Sequence, residues 1–153
     1  MNLGDILTTR QIVPELKATN RWEGIDELVE CLVASGAIRA EHREAITAVV
    51  KKREASMSTG IGFGIGIPHA STDLIDQVVA AFGRSRRGVH FDALDNQPVH
   101  LVTLFLVPQG QFQRHLHTLA SIAKVLRRED FLKELDVAPD AEAMMQVIRK
   151  YSR

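Results

Sequence analysis

The sequence predicts a single α/β domain, residues 1–153, built on a mixed parallel and antiparallel β-sheet with helices on both faces. Three observations point there. Segments with helical spacing of apolar residues interleave with short β-like segments, and no long linker separates them. The stretch Val99–Val107 is apolar on both faces, the pattern of a central strand covered from two sides. A chain of 153 residues is one domain long and can bury a core without disulfides or a structural metal.

The elements follow in order. Ile12, Val13 and Leu16, interrupted by Pro14, read as an edge strand. Asn20 is a helix cap with Glu23 three positions on, and Trp22, Ile25, Leu28, Val29, Leu32 and Val33 recur at helical spacing until Gly36 ends the helix. A second helix spans roughly Ala40–Arg53, with Ile46, Val49 and Val50 as its buried stripe and His42 on its polar side. Between Ser58 and His69 glycine alternates with bulky apolar residues, the period of a strand with one bare face, which Pro68-His69 ends. Further strands are expected at Val78–Gly83 and around Val89–Phe91, a turn at Asp95-Asn96, and the central strand at Val99–Val107. Leu116, Leu119, Ala120, Ala123 and Leu126 mark another helix, Phe131–Leu135 a short one, and Pro139-Asp140 opens the last, with Met144, Val147, Ile148 and Tyr151 on its apolar side.

Nineteen Lys and Arg balance nineteen Asp and Glu. This neutrality argues against a partner held by bulk charge, whether nucleic acid or an anionic membrane surface. The lone Cys31 allows neither an internal disulfide nor a zinc ribbon. Val99–Val107 is too short for a membrane span, and the N-terminus lacks the basic and apolar regions of a signal peptide. A cytoplasmic protein without membrane insertion is the expectation.

The glycine segment invites a nucleotide-binding assignment, but its spacing does not support one. In a dinucleotide fingerprint begun at Gly60 or Gly62 the last glycine would fall on Ile65 or Ile67, and no Gly-Lys-Ser/Thr closes a P-loop. A strand with alternate positions bare lets either another backbone or a bulky ligand approach closely, and its N–H groups can meet an anion. His69 follows at a strand end, where α/β sites commonly lie. Neutral imidazole is a nucleophile near pH 7, and phosphoryl transfer needs such a nucleophile with donors around the anionic oxygens.

Ser58-Thr59-Gly60-Ile61-Gly62 followed by Ile67-Pro68-His69-Ala70 resembles the active-site segment of enzyme IIA domains of the bacterial phosphoenolpyruvate-dependent phosphotransferase system, fructose/mannitol class. Asp95-Asn96-Gln97-Pro98-Val99, Val107-Pro108 and His115-Leu116-His117-Thr118-Leu119 look like the nitrogen-regulatory branch of that class, and the resemblance runs from about Asp5 to Tyr151. It implies a mixed sheet sandwiched by helices. It also implies that His69 takes a phosphoryl group from an HPr-type phosphocarrier, with Arg53 and His115 as the other active-site residues. Arg53 would contact the phosphoryl oxygens, and His115, at the start of a helix, would donate a hydrogen bond. Ser58, Thr59, Gly60 and Gly62 would form the phosphate-cradling loop, and Ile61, Phe63 and Leu116, with Phe112, an apolar rim for partner docking. No cofactor and no metal are implied, because the partner proteins can supply the cationic clamp. Two departures stand out: Phe63 replaces an asparagine usual in the family, and Ser71 a basic residue usual two positions after the histidine.

Each of these residues also has a plainer reading. Arg53 could counter a helix dipole and His115 could simply face solvent. His117 points to a different helix face from His115. His90 and His100 read as ordinary strand-end residues. Arg84, Arg86 and Arg87 read as a solvated loop and Arg127-Arg128 as a helix C-terminus, the alternative being a docking edge for an acidic partner. Three functions follow from the resemblance: a regulatory phosphocarrier whose targets read its phosphorylation state, a sugar-transport component serving a IIB domain, or a degenerate binding module. A free-standing chain of this length favours the first. Phosphorylation would place roughly two negative charges on a neutral protein.

Overall fold

The computed structural model describes residues 1–152. A short helix α1 (Leu3–Ile6) and a 3-10 turn lead into strand β1 (Ile12–Val13), then helices α2 (Arg21–Ala34) and α3 (Arg43–Ser56). Strands β2 (Gly60–Gly62), β3 (Ile65–Gly66), β4 (His69–Thr72), β5 (Val79–Val89) and β6 (Val99–Pro108) follow, and helices α4 (Leu116–Leu126), α5 (Glu129–Val137) and α6 (Ala141–Tyr151) close the chain. The sheet has six strands in the order β1-β5-β6-β3-β2, with β4 also on β6. Its ladders are mixed: β1 with β5 and both β3 and β4 with β6 are parallel, while β5 with β6 and β2 with β3 are antiparallel.

The predicted α/β class and the two helix layers are both present. Strand alternation on β6 sends Leu101, Phe105 and Val107 into one core, beneath α1, α4, α5 and α6, and Val102, Leu104 and Leu106 into the other, beneath α2 and α3. Apart from His100, every residue of β6 is buried, as its two-sided apolar pattern required. Asn20 caps α2 by accepting from the Glu23 amide at 3.0 Å, and Asp140 caps α6 by accepting from Ala143 at 2.9 Å. Among the described residues no helix is long and apolar enough to cross a membrane.

Five expectations change. The glycine segment is not one strand but a hairpin. Gly62, Phe63 and Gly64 all take positive φ, 93°, 59° and 76°, and turn the chain back so that Gly60 pairs with Gly66. The bare positions admit the protein's own packing rather than a ligand: a Cβ on Gly60 would stand 2.8 Å from that of Ala93, and one on Gly66 2.8 Å from the Phe91 ring. His69 does not end a strand but opens β4. β3 and β4 both lie along β6, Gly66 opposite Val102 and His69 opposite Phe105, and the break between them falls at Ile67-Pro68, where Pro68 has no N–H to give.

The strands expected at Val78–Gly83 and Val89–Phe91 are one, β5, because a bulge absorbs the residues between them. From Arg84 to Val89 the strand advances five positions while its partner moves only from Leu101 to Val99. Arg84 is consequently no solvated loop residue. It is 5% exposed, and its guanidinium donates to the carbonyls of Pro14, Leu135 and Ala138. Finally, Ile46 and Val50 are buried on α3 but Val49 is not. The third buried position of that stripe is Glu54, four residues beyond Val50.

Candidate active site

His69 lies where α4 crosses the sheet beside the glycine hairpin. A groove of about 340 Å³ opens there, walled by Arg53 and Met57 from the end of α3, Ile61 from β2, and Leu116 and Ala120 from α4. The spacing Leu116, Leu119, Ala120, Ala123 turns much of its apolar face to this groove, while Thr118, Ile122 and Leu126 fill the core.

The imidazole of His69 is held from two directions. Its Nδ1 lies 2.8 Å from the Ile67 carbonyl. A carbonyl can only accept, so Nδ1 carries the proton and the neutral ring keeps its lone pair on Nε2. Phe112, in the turn before α4, stacks on the ring with centroids 5.6 Å apart and planes 12° from parallel. Burial lowers the histidine pKa from its ordinary 6.5 and the Arg53 cation lowers it further, with the Ile67 carbonyl and the Glu54 carboxylate acting the other way. The imidazole is therefore neutral at pH 7.

Arg53 stands in the last turn of α3, exposed and on the groove wall, its Nη1 3.3 Å from the Ser56 hydroxyl. No carboxylate lies within ion-pairing distance of it among the described residues, so its charge is available to an anion. His115 ends the 3-10 turn that leads into α4 and packs edge-on against Phe105, the register partner of His69, with centroids 6.5 Å apart. Its Nδ1 is buried and has no partner among the described residues.

The loop expected to cradle phosphate is built differently. Ser58 and Thr59 line the groove, but their polar groups are committed. Thr59 donates its amide and hydroxyl to the Glu54 carboxylate at 2.9 and 2.6 Å, and Ser58 donates to the Phe91 carbonyl while accepting from the Gly60 amide at 3.1 Å. Gly60 and Gly62 do not border the groove; they make the hairpin. The segment is a braced wall, not a ring of free N–H donors. Of the expected docking rim, Ile61 and Leu116 are exposed on the groove. Phe63 is 65% exposed but sits at the hairpin tip over a second cavity, with the Arg127 guanidinium 4.2 Å above its ring. Phe112 supports His69 rather than presenting a docking face.

Sequence reasoning missed Glu54, whose carboxylate also meets Arg21 Nη1 at 3.3 Å and is fully enclosed. The available signal was its place on the Ile46–Val50 stripe, where a carboxylate can be buried only if it is paired.

The whole chain bears a family likeness. Residues 5–151 match the family described as "Phosphoenolpyruvate-dependent sugar phosphotransferase system, EIIA 2". A "Nitrogen regulatory protein" of Bradyrhizobium diazoefficiens is 32% identical over 148 residues, which cover 97% of this chain and 95% of that one. The "PTS system fructose-specific EIIABC component" of Bacillus subtilis is 34% identical over 153 residues, all of this chain but only 24% of that longer protein. Among solved structures, the nitrogen regulatory protein IIA-Ntr of Neisseria meningitidis superposes with a TM-score of 0.84 at 28% identity, covering 95% of this chain and 98% of that one. The chain therefore belongs to the EIIA 2 family of the phosphoenolpyruvate-dependent sugar phosphotransferase system.

Proposed function

We propose that the protein is a histidine phosphocarrier that accepts a phosphoryl group on Nε2 of His69 and acts as a regulator through its phosphorylation state. The observation that carries the reading is the 2.8 Å contact between His69 Nδ1 and the Ile67 carbonyl, which fixes the tautomer with Nε2 nucleophilic. In the transfer, the Nε2 lone pair forms the new N–P bond while the donor's N–P bond breaks and its electron pair returns to the donor nitrogen. The proton stays on Nδ1, donated to the Ile67 carbonyl. The adduct thus pairs a phosphoryl dianion with an imidazolium ring, one net negative charge gained instead of two, and the ring remains a good leaving group for onward transfer.

Arg53 supplies a guanidinium to the phosphoryl oxygens, and His115, edge-on to the Phe105 that pairs with His69, supplies a second donor. The donor is an HPr-type phosphocarrier protein, which docks on the apolar rim of Met57, Ile61 and Leu116 in the cytoplasm. Likeness to nitrogen regulatory proteins along nearly the whole chain favours regulated target proteins as the readers of the modification. The 34% identity to the Bacillus fructose-specific component supports a second reading, transfer to a IIB domain for sugar uptake.

Incubation with phosphoenolpyruvate, enzyme I and an HPr-type carrier is expected to label the protein with acid-labile, base-stable phosphate, and His69→Ala to abolish the label. Labelling of the alanine variant would overturn the assignment. Restoration of sugar phosphorylation in an extract lacking its own IIA component would decide for the transport reading.

A further inference from the structure

A cavity beneath α5 is separate from the His69 groove. It measures about 760 Å³ and is bordered by Phe63 and Gly64 at the hairpin tip, Arg84 and Arg86 from the β5 bulge, His100 from β6, and Lys133 from α5. Its volume falls in the range of small-molecule sites.

The charges around it are unbalanced. Arg84 is nine-tenths buried, yet its guanidinium bonds only neutral carbonyls, those of Pro14, Leu135 and Ala138. Its Nη2 has no acceptor among the described residues. Arg86 Nη2 likewise donates to a carbonyl, that of Asp136, at 2.9 Å. Neither guanidinium nor the Lys133 ammonium has a carboxylate within 4.0 Å, the Glu15 carboxylate accepting instead from the Arg86 backbone amide at 3.0 Å, whereas Arg21, Arg39, Arg43, Lys51, Arg128 and Lys150 are all ion-paired. Asp136 is the single acid on the cavity wall, against three cations. A buried guanidinium without a counter-ion is costly, and an anion in this cavity would relieve that cost. Burial and the neighbouring Arg86 cation press the Arg84 pKa downward, with the Glu15 and Asp136 carboxylates acting the other way. Opposite the cations, the exposed Phe63 ring and Leu101 and Leu132 offer apolar contact.

We propose that this cavity is a binding site for a small organic anion, a carboxylate or phosphate ester whose charged group meets Arg84, Arg86 and Lys133 and whose planar or apolar body lies against Phe63. The site is distinct from the phosphorylation site and does not depend on the phosphocarrier reading. Because Phe63 and Ile61 sit on the same hairpin, a ligand here would bear on the wall of the His69 groove from behind.

The test is a titration of the ¹⁵N-labelled full chain, followed by amide shifts, with phenyl phosphate, benzoate and phenol as probes. Saturable shifts at Phe63, Gly64, Arg84 and Lys133 are expected with the anions and not with phenol. The tighter of the two anions identifies phosphate or carboxylate as the recognised group. Lys133→Ala, an exposed change on α5 that leaves the Arg84 bonds intact, is expected to weaken binding roughly fivefold, and Phe63→Ala by a similar factor. No saturable shift up to about 10 mM of either anion would overturn the proposal, as would equal shifts with phenol or an affinity unchanged in both variants.

Discussion

Replacing Glu54 by glutamine removes a charge from the enclosed brace of the active-site wall while keeping its shape. The carboxylate accepts from the Thr59 amide at 2.9 Å, the Thr59 hydroxyl at 2.6 Å and Arg21 at 3.3 Å. Hydrogen bonds to an ionised acceptor contribute about 1.5–3 kcal/mol, against about 1 kcal/mol for neutral pairs, so each weakened contact loses about 1 kcal/mol. The new amide group must also turn its N–H donors towards Thr59 or Arg21, both of which are donors in the native arrangement. A loss of about 2–3 kcal/mol is expected. For a chain of this size that is a fall in Tm of about 4–12 °C, measurable by calorimetry. Arg21→Met alone should be costly, and in the double variant the two losses should fall well short of adding, because each removes the same pair. Phosphoryl acceptance by His69 should slow in Glu54→Gln even at temperatures where the variant is folded, since Ser58 and Thr59 line the groove. A Tm within about 1 °C of the wild type, or fully additive losses, would refute the view that this carboxylate braces the wall.

Other outcomes follow from the same geometry. The His69 ring should titrate below the ordinary 6.5 in an NMR pH series, and Arg53→Ala should raise that midpoint, because the arginine disfavours the imidazolium. Between the ordinary and the lowered value the unfolded chain binds a proton that the native site refuses. Stability therefore drops as pH falls through that window and levels off beneath it, and labelling is lost as Nε2 becomes protonated. A midpoint at or above 6.5 would count against this picture. Arg53→Ala should also slow labelling roughly 10- to 100-fold, read by timed autoradiography, with the protein still folded. Gly60→Ala forces a methyl into Ala93 and should cost about 1–3 kcal/mol in urea unfolding, and an unchanged midpoint would show that the two segments can part.

The architecture was legible where burial follows a period. The two-sided apolar run of β6, the stripe of α2 and the caps Asn20 and Asp140 all appear as expected, because each depends on residues close in sequence. The hairpin was not legible, because alternating glycine satisfies a strand template and the reversal depends on Phe63 taking a left-handed φ that its side chain disfavours. Arg84 read as solvated because nothing local reveals that the end of α5 will bring its carbonyls overhead. At the site, His69 and Arg53 were placed on one groove as the motif implied. The commitment of the Ser58 and Thr59 hydroxyls was not legible, because their partners, Phe91 and Glu54, are not visible from the motif.

The pause between β3 and β4 at Ile67-Pro68 gives the site an uncommon kind of robustness. The group that decides which nitrogen of His69 is reactive belongs to the main chain, and every amino acid at position 67 supplies the same oxygen. Side-chain drift at that position can reshape the groove but cannot delete the acceptor, and alanine scanning passes over it without a signal. Backbone chemistry reaches it: a thioamide at residue 67, with sulfur in place of that oxygen, makes a poorer acceptor and leaves every side chain in place. Proline has no N–H whose donor strength the thioamide could alter, so the change bears on the carbonyl's hold on the imidazole.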